Sequence, residues 1–352
     1  MKDFIIVGLG LSGASLAYRL EKEGRSFMVY DDESQEASRV AGGFMNPIIL
    51  KRFTLAWKAD EQMSKAVDFY GAMGKDLGKN FLSPLEIYRR FSSIEEQNNW
   101  FTAADNPRVA PYLDLNLVKT VNPHIPSKFS FGKVLNTKRI DPRDLLESYA
   151  AHLAKKGLLI NESFDHDALG ISEDHVEYKG IKSRNIIFCE GFGLLNNPYF
   201  GYLPLKGNKG EYIIIKARDL DLEVGVKSSV FIFPAGEDLY AVGATYSNTD
   251  KTPGPTTAAR EELIEKLRDL IDVDFEVVHQ VAGLRPSTID RRPLVGKHPD
   301  HENLYCCNGF GSRGILLAPM ISEELLNLID TGEELSPEID LARFTKKWYS
   351  KV

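Results

Sequence analysis

The sequence predicts an α/β fold in which a parallel sheet flanked by helices is interleaved with a second, mostly antiparallel α+β unit. Three observations carry this expectation. Residues 1–31 read as strand, glycine turn, helix and strand; strands run into glycine turns twice more, at 186–193 and 304–314; and from 205 to 281 short apolar runs alternate with turns.

Phe4-Ile5-Ile6-Val7 is an unalternating apolar run, as expected of a parallel strand buried on both faces. Gly8-Leu9-Gly10-Leu11-Ser12-Gly13 follows directly, and an apolar helical stretch continues to about Glu23. A GxGxxG between a strand and a helix is specific where an isolated one is not. Gly8 permits a tight turn, Gly10 lets backbone approach a pyrophosphate, and Gly13 allows close helix packing, with the helix N-terminus facing the phosphates. Residues 26–30 form the second strand; Asp31 at its end is placed to accept ribose hydroxyls, with Asp32 beside it. These features predict a Rossmann-like unit for an AMP-containing dinucleotide. The loop after it, Ser38-Arg39 to Gly42-Gly43-Phe44, is rich in small residues that admit backbone to a flat ligand, although taken by itself it reads better as an ordinary glycine turn.

Residues 55–77 carry Trp57, Met63, Val67, Tyr70 and Met73 at mainly helical spacing and predict a long helix. A strand is expected at 87–91, and four prolines keep 107–126 irregular. Asp141 is an N-cap followed by Pro142 at the first helical position, and the helix it opens ends at Gly157. Short strands follow at 158–160, 176–178 and 186–189, the last entering Glu190-Gly191-Phe192-Gly193 as a second pass of the nucleotide sheet would. Strand-like runs at 212–215, 230–233 and 240–242 with one helix at 257–270 then predict an antiparallel substrate platform.

Near the C-terminus, Gly283-Leu284-Arg285-Pro286 precedes a strand at 304–306, the turn Asn308-Gly309-Phe310-Gly311-Ser312-Arg313-Gly314 and an apolar helix from Ile315. A second helix N-terminus offers partial positive charge to an electron-rich group. Two glycine turns at opposite ends of the chain suit one long cofactor, and FAD fits better than NAD because the flavin N1/C2=O edge becomes anionic on reduction.

The 352 residues, 43% of them hydrophobic, are enough for two packed cores, and a formal net charge of −7 argues against a generally basic nucleic-acid surface. Cys189, Cys306 and Cys307 show neither metal nor disulfide spacing, and His124, His279, His298 and His301 show no metal spacing. The strand starting by residue 4 leaves no room for a signal segment and no apolar run reaches membrane-spanning length, so a soluble cytoplasmic protein is expected.

The glycine motif with Asp31, Ser38-Arg39 with Gly42-Gly43, Gly283-Leu284-Arg285-Pro286 with Asp290, Pro293 and Gly296, and Gly309 to Pro319 together resemble the FAD-dependent D-amino-acid oxidase/glycine oxidase superfamily over nearly the whole chain. Leu203 to Gly207, Gly243 to Tyr246 and Gly311 to Gly314 look most like the oxidase half of the bifunctional enzyme that makes 5-methylaminomethyl-2-thiouridine in tRNA; the methyltransferase half is absent. The resemblance implies an FAD-binding domain formed by residues 1–80, 139–200 and 282–352, with a substrate domain formed by 81–138 and 201–281. It implies noncovalent FAD, held by Gly8, Gly10, Leu11, Ser12, Gly13, Asp31, Asp32, Ser38, Arg39, Gly42, Gly43 and Phe44, with Phe164 and Gly191, and by Gly309, Gly311, Ser312, Arg313, Gly314 and Ile315. It implies oxidation of the C–N bond of an amino acid or N-substituted glycine, with Arg285 holding the substrate carboxylate through its bidentate fork; an ion pair with Asp290 is the structural alternative. Ser312 stands where glycine oxidases carry a second arginine, Arg313 lies one residue late, and Phe231 replaces the family tyrosine, for which Tyr246 is the substitute candidate. A small amino acid or amine is the expected partner. Three alternatives remain: tRNA carrying a carboxymethylaminomethyl uridine, with Lys206, Lys209, Arg291, Arg292 and Lys297 as a basic patch; a nicotinamide-dependent dehydrogenase; and a catalytically silent flavin-binding protein.

Overall fold

A computed structural model describes residues 1–350, in which Lys2–Val7 lies inside an eight-stranded sheet. Phe27–Asp31 and Ile181–Phe188 flank it in parallel, with Leu159–Asn161 beyond the first and Leu304–Asn308 beyond the second. Val176–Tyr178, Leu169–Ile171 and Leu294–Lys297 add antiparallel partners. Burial on both faces explains the missing alternation in the first strand. Phe4 and Ile6 pack with Leu16, Leu20, Tyr70 and Ile321, while Ile5 and Val7 pack with Tyr30, Tyr178, Ile186 and Phe200 on the opposite side.

The first of these faces is covered by helices Leu11–Lys22, Ala59–Leu77, Pro142–Lys155 and Gly314–Thr331. Asp141 caps its helix as expected, accepting from the N–H groups of Arg143 at 3.0 Å and Asp144 at 3.1 Å. The long helix begins at Ala59, later than its apolar spacing predicts. Ile48–Ile49 and Thr54–Leu55 pair as a hairpin instead, and Lys58 takes a φ of +46°, outside helical geometry. The helix Ile94–Ala104 was not anticipated, although Ser93-Ile94-Glu95-Glu96 is a capping box; the Ser93 hydroxyl accepts from the Glu96 N–H at 3.1 Å.

A second, seven-stranded sheet runs in the order Glu276–Arg285, Asn208–Lys216, Leu239–Gly243, Phe231–Gly236, Gly225–Lys227, Ile87–Arg90 and Phe131–Val134. All its pairings are antiparallel except that of Gly225–Lys227 with Ile87–Arg90. Ile213, Ile215, Ile232 and Val242 pack under Leu263 and Leu267 of helix Thr257–Arg268. The alternate residues of the same strands, Tyr212, Phe231 and Phe233, are thereby turned toward the first sheet's glycine turns. Among the described residues no helix is long and apolar enough to cross a membrane, and no cluster of metal-ligating side chains occurs.

His298, 1% exposed, sits just beyond Leu294–Lys297 against Phe200, His301 and Trp348. Its Nδ1 accepts from the Asp300 N–H at 3.1 Å, so a second ring proton has no place to go without turning donor against donor. Burial, with His301 nearby, lowers its pKa from 6.5 to about 4. At His298 the folded form therefore binds fewer protons than the unfolded one in this window: the contribution of the neutral ring to stability is fully present above pH 6.5 and is lost as pH falls through about 4. His298→Asn, which keeps an acceptor but does not titrate, is expected to flatten the decline of Tm between pH 6.5 and 4; parallel wild-type and variant profiles would exclude His298 as a source of acid lability.

Candidate active site

The first glycine turn is built by exclusion. Gly8 has a φ of +97°, and a Cβ there would lie 2.6 Å from the Cys189 carbonyl oxygen; a Cβ on Gly13 would lie 1.9 Å from the oxygen of Gly8. The helix therefore starts against the strand's end, with no side-chain cap from Gly10. The Ser38 hydroxyl accepts from the Leu11 N–H at 3.2 Å, which brings the small-residue loop over the helix N-terminus. Asp31 braces the turn from the second strand: one oxygen accepts from the Leu9 N–H at 3.0 Å, and the other faces Arg39 at 3.4 Å.

The second turn meets the first at the same place. The Ser12 hydroxyl donates to the Cys307 carbonyl at 2.7 Å, the Asn308 amide donates to the Gly191 carbonyl at 2.9 Å, and the Tyr70 hydroxyl donates to the Ile315 carbonyl at 2.9 Å. Two helix N-termini thus converge on one cleft of about 500 Å³. Of the residues expected at the cofactor, Gly8, Gly10, Leu11, Ser12, Asp31, Asp32, Ser38, Gly42, Phe44, Phe164, Gly191, Gly311, Ser312, Gly314 and Ile315 line it. Gly13 lies beneath the turn, Arg39 lies against Asp31, and Gly43 packs where a Cβ would meet the Ile140 oxygen at 1.8 Å. Gly309 is similarly crowded, with Thr288 Cγ2 2.8 Å from such a Cβ. Arg313 turns its guanidinium to the Asn46 carbonyl at 3.2 Å, where burial lowers its pKa to about 10.

The far end of the cleft is a sheet face. Arg285, the last residue of its strand, lies over Gly210, at which a Cβ would come within 1.9 Å of Nη2. Its Nη1 donates to Asn208 Oδ1 at 2.7 Å, and Asp290 instead takes the Arg343 Nε at 3.0 Å, so the Arg285–Asp290 pair does not form. Desolvation lowers the Arg285 pKa, opposed by the nearby Tyr246. Phe44 packs on Phe231 at 4.3 Å and on Phe233 at 4.6 Å between ring centroids, giving an apolar wall. Tyr246 is not part of it. Thr245 points inward, its hydroxyl accepting from the Glu211 N–H at 3.0 Å, and Ser247 pairs with Lys209, which leaves Tyr246 between them 63% exposed.

Sequence reasoning did not single out Tyr212, Phe233, Gln35 or the pair His166–Glu190 (2.7 Å), all of which line the cleft. No common local signal marks them: Tyr212 and Phe233 lie inside strands, Gln35 lies in the loop after Asp31, and His166 opens a single short turn. A second cleft of about 940 Å³ lies beside the Ile48–Leu55 hairpin and is lined by Lys51, Arg52, Trp57, Lys58, Arg108 and Arg292, with Glu96 its only acid. Lys58 pairs with Glu324 and Arg292 with Glu338, whereas Lys51, Arg52 and Arg108 meet no carboxylate among the described residues. The expected basic patch is corrected in one member: Lys209 is 1% exposed and ion-paired with Asp250 at 2.8 Å, because its strand buries it beneath the 247–252 loop.

A family model described as FAD dependent oxidoreductase matches residues 3–328. The chain belongs to this family. The oxidoreductase is 30% identical to a glycine oxidase of Bacillus subtilis, over 92% of this chain and 93% of that one. It is 21% identical to the tRNA 5-methylaminomethyl-2-thiouridine biosynthesis bifunctional protein of Marinobacter nauticus, over 92% of this chain but 55% of that protein. The fold is that of the crystal structure of an iminodiacetate oxidase from Chelativorans sp. BNC1, with a TM-score of 0.76 at 19% identity, covering 97% of this chain and 98% of that one. The oxidoreductase is therefore an FAD-dependent enzyme rather than a nicotinamide-dependent one, and its own geometry fits that cofactor. Side chains are excluded at Gly8 and Gly13, two helix N-termini face one elongated cleft, and a carboxylate stands at the end of the second strand. Asp31→Ala is expected to weaken FAD binding by roughly 1.5–3 kcal/mol, the range for a hydrogen bond to a charged group, measured by reconstituting apoprotein with FAD. Unchanged affinity would remove Asp31 from the cofactor site.

Proposed function

We propose that the enzyme oxidises the C–N bond of an amino acid or N-substituted glycine whose carboxylate is held by Arg285. One observation carries this reading: Arg285 is a partly buried guanidinium in the cleft whose side-chain partner is the neutral Asn208 amide, so its positive charge is left for a ligand. The names of the relatives agree with it, since glycine and iminodiacetate share an N–CH2–carboxylate fragment. Bound FAD supplies the two-electron acceptor for this oxidation, and the resulting imine hydrolyses in water.

The residues of the chain contribute orientation and exclusion. Arg285 matches a carboxylate with two parallel N–H donors and so fixes which substrate carbon faces the cofactor. Gly210 and Gly283 keep the sheet surface low beneath it; a Cβ on Gly283 would strike Val40 Cγ2 at 2.6 Å. Phe44, Phe231 and Phe233 keep water from one wall. Where a second arginine would close the site, exposed Ser312 leaves space for a larger N-substituent. In this reading residues 1–80, 139–200 and 282–352 hold FAD without a covalent bond and 81–138 with 201–281 present the substrate, except that the strand Glu276–Arg285 crosses the boundary at 281/282 and carries Arg285 on the substrate sheet. Three unpaired, buried cysteines suit a reducing cytoplasm.

A second reading applies the same chemistry to a carboxymethylaminomethyl uridine in tRNA. It is supported by the similarity to half of the bifunctional tRNA enzyme and by the cleft carrying Lys51, Arg52 and Arg108. Binding of tRNA that weakens with salt and is lost in Lys51→Ala/Arg52→Ala/Arg108→Ala would favour it; no binding at low salt would exclude it.

The carboxylate anchor has a direct test. N-substituted glycines are expected to bleach the flavin anaerobically faster than the corresponding decarboxylated amines. Arg285→Ala should lose about 2–5 kcal/mol in kcat/KM, and Arg285→Lys should recover only part, because a point charge does not reproduce the fork. Equal rates with acids and amines, or full activity in Arg285→Ala, would overturn the proposal.

A further inference from the structure

Asn208 opens its strand directly opposite Arg285, and its side chain is wholly buried at 0% exposure. A buried amide is oriented by where its two N–H donors go. Here Nδ2 donates to the Ser247 carbonyl at 3.0 Å and to Asn248 Oδ1 at 3.1 Å. Both donors face acceptors, so the amide oxygen is the group left to meet Arg285 Nη1, at 2.7 Å. Turning the amide over would break all three bonds and set donors against the guanidinium.

The loop that orients Asn208 is itself held. Ser247 and Lys209 exchange two backbone hydrogen bonds of 2.9 Å, and the buried Lys209 ammonium donates to Asp250 Oδ2 at 2.8 Å and Thr252 Oγ1 at 3.1 Å. The positioning therefore runs from the Lys209–Asp250 pair to the 247–250 turn, from that turn to Asn208, and from Asn208 to Arg285. Gly210 completes it by letting the guanidinium lie flat on the sheet, since a Cβ there would sit 2.1 Å from Cζ.

Charge gives the arrangement its chemical meaning. A carboxylate at 208 would hold Arg285 more strongly but would neutralise it and compete with any anionic ligand. A neutral acceptor orients the fork and leaves its charge unspent. We propose that Asn208 is a positioning residue that aims Arg285 at the ligand's carboxylate and, by its neutrality, keeps the anchor selective for that anion. This rests on the carboxylate-anchor reading of Arg285.

The test uses the FAD-loaded enzyme, with acetate as the carboxylate probe followed by perturbation of the flavin absorbance, and N-methylglycine and dimethylamine as substrates with and without the carboxylate. Asn208→Asp is expected to raise the acetate Kd and the N-methylglycine KM together by roughly ten- to hundredfold, as expected when a rival anion faces the guanidinium, with the oxidation of dimethylamine, which has no carboxylate for the fork to hold, affected far less. Asn208→Ala should raise both constants less, because the guanidinium loses its orientation but keeps its charge. If the Asp variant does not retain FAD, the Ala variant decides on the same split. Wild-type acetate binding in the Asn208 variants, alongside its loss in Arg285→Ala, would overturn the role of Asn208 while leaving the anchor intact. Wild-type acetate binding in Arg285→Ala would overturn the anchor reading and this inference with it. An equal loss of N-methylglycine and dimethylamine oxidation in the Asn208 variants would mark a general structural defect and likewise overturn the proposal.

Discussion

The close approach of helix Leu11–Lys22 to the end of strand Lys2–Val7 is the constraint on which the molecule depends. It exists because neither Gly8 nor Gly13 carries a side chain, and the 1.9 Å that would separate a Gly13 Cβ from the Gly8 oxygen admits no other residue without moving the helix. Once the helix is seated, its first turn carries the Ser12 hydroxyl to the Cys307 carbonyl, 295 positions away in sequence, and the second glycine turn is brought to the first. Their two helix N-termini then act on one cleft.

The antiparallel sheet adds a flat, chemically asymmetric wall. One face is filled by aliphatic side chains beneath helix Thr257–Arg268; the other carries Tyr212, Phe231, Phe233 and Arg285 with glycines between them. The alternation of strand side chains converts a single set of strands into both a core and a binding surface. The guanidinium is the only charged group contributed by this sheet to the cleft, and the polar residues that hold it in place lie on the neighbouring strand and its adjoining loop.

Most of the parallel sheet was legible in the sequence because buried parallel strands read as unbroken apolar runs and glycine turns punctuate them. The Asp141-Pro142 helix start was equally plain, being a local signal of cap and proline. What remained hidden depended on which segments pair, near or far in sequence. The hairpin of Ile48–Ile49 with Thr54–Leu55 overrode an apolar periodicity that favoured helix, and Tyr246 faces outward because Ser247 registers with Lys209 on another strand. Arg285 was legible from its motif, but its partner was not: Asp290 lies nearer in sequence, yet Arg343 takes it. Asn208 and Phe233 had no local mark at all, since their importance comes from what the sheet sets beside them.

The bond between Ser12 and Cys307 also bears on how the chain folds. It joins stretches 295 positions apart, so the strand Leu304–Asn308 and the helix Gly314–Thr331 must dock on the N-terminal glycine turn before the cleft exists. Contacts across so long a loop cost the most chain entropy and form slowly. A ligand stabilises only the form that binds it, so a molecule filling the cleft stabilises the docked chain and not the first strands and helix by themselves.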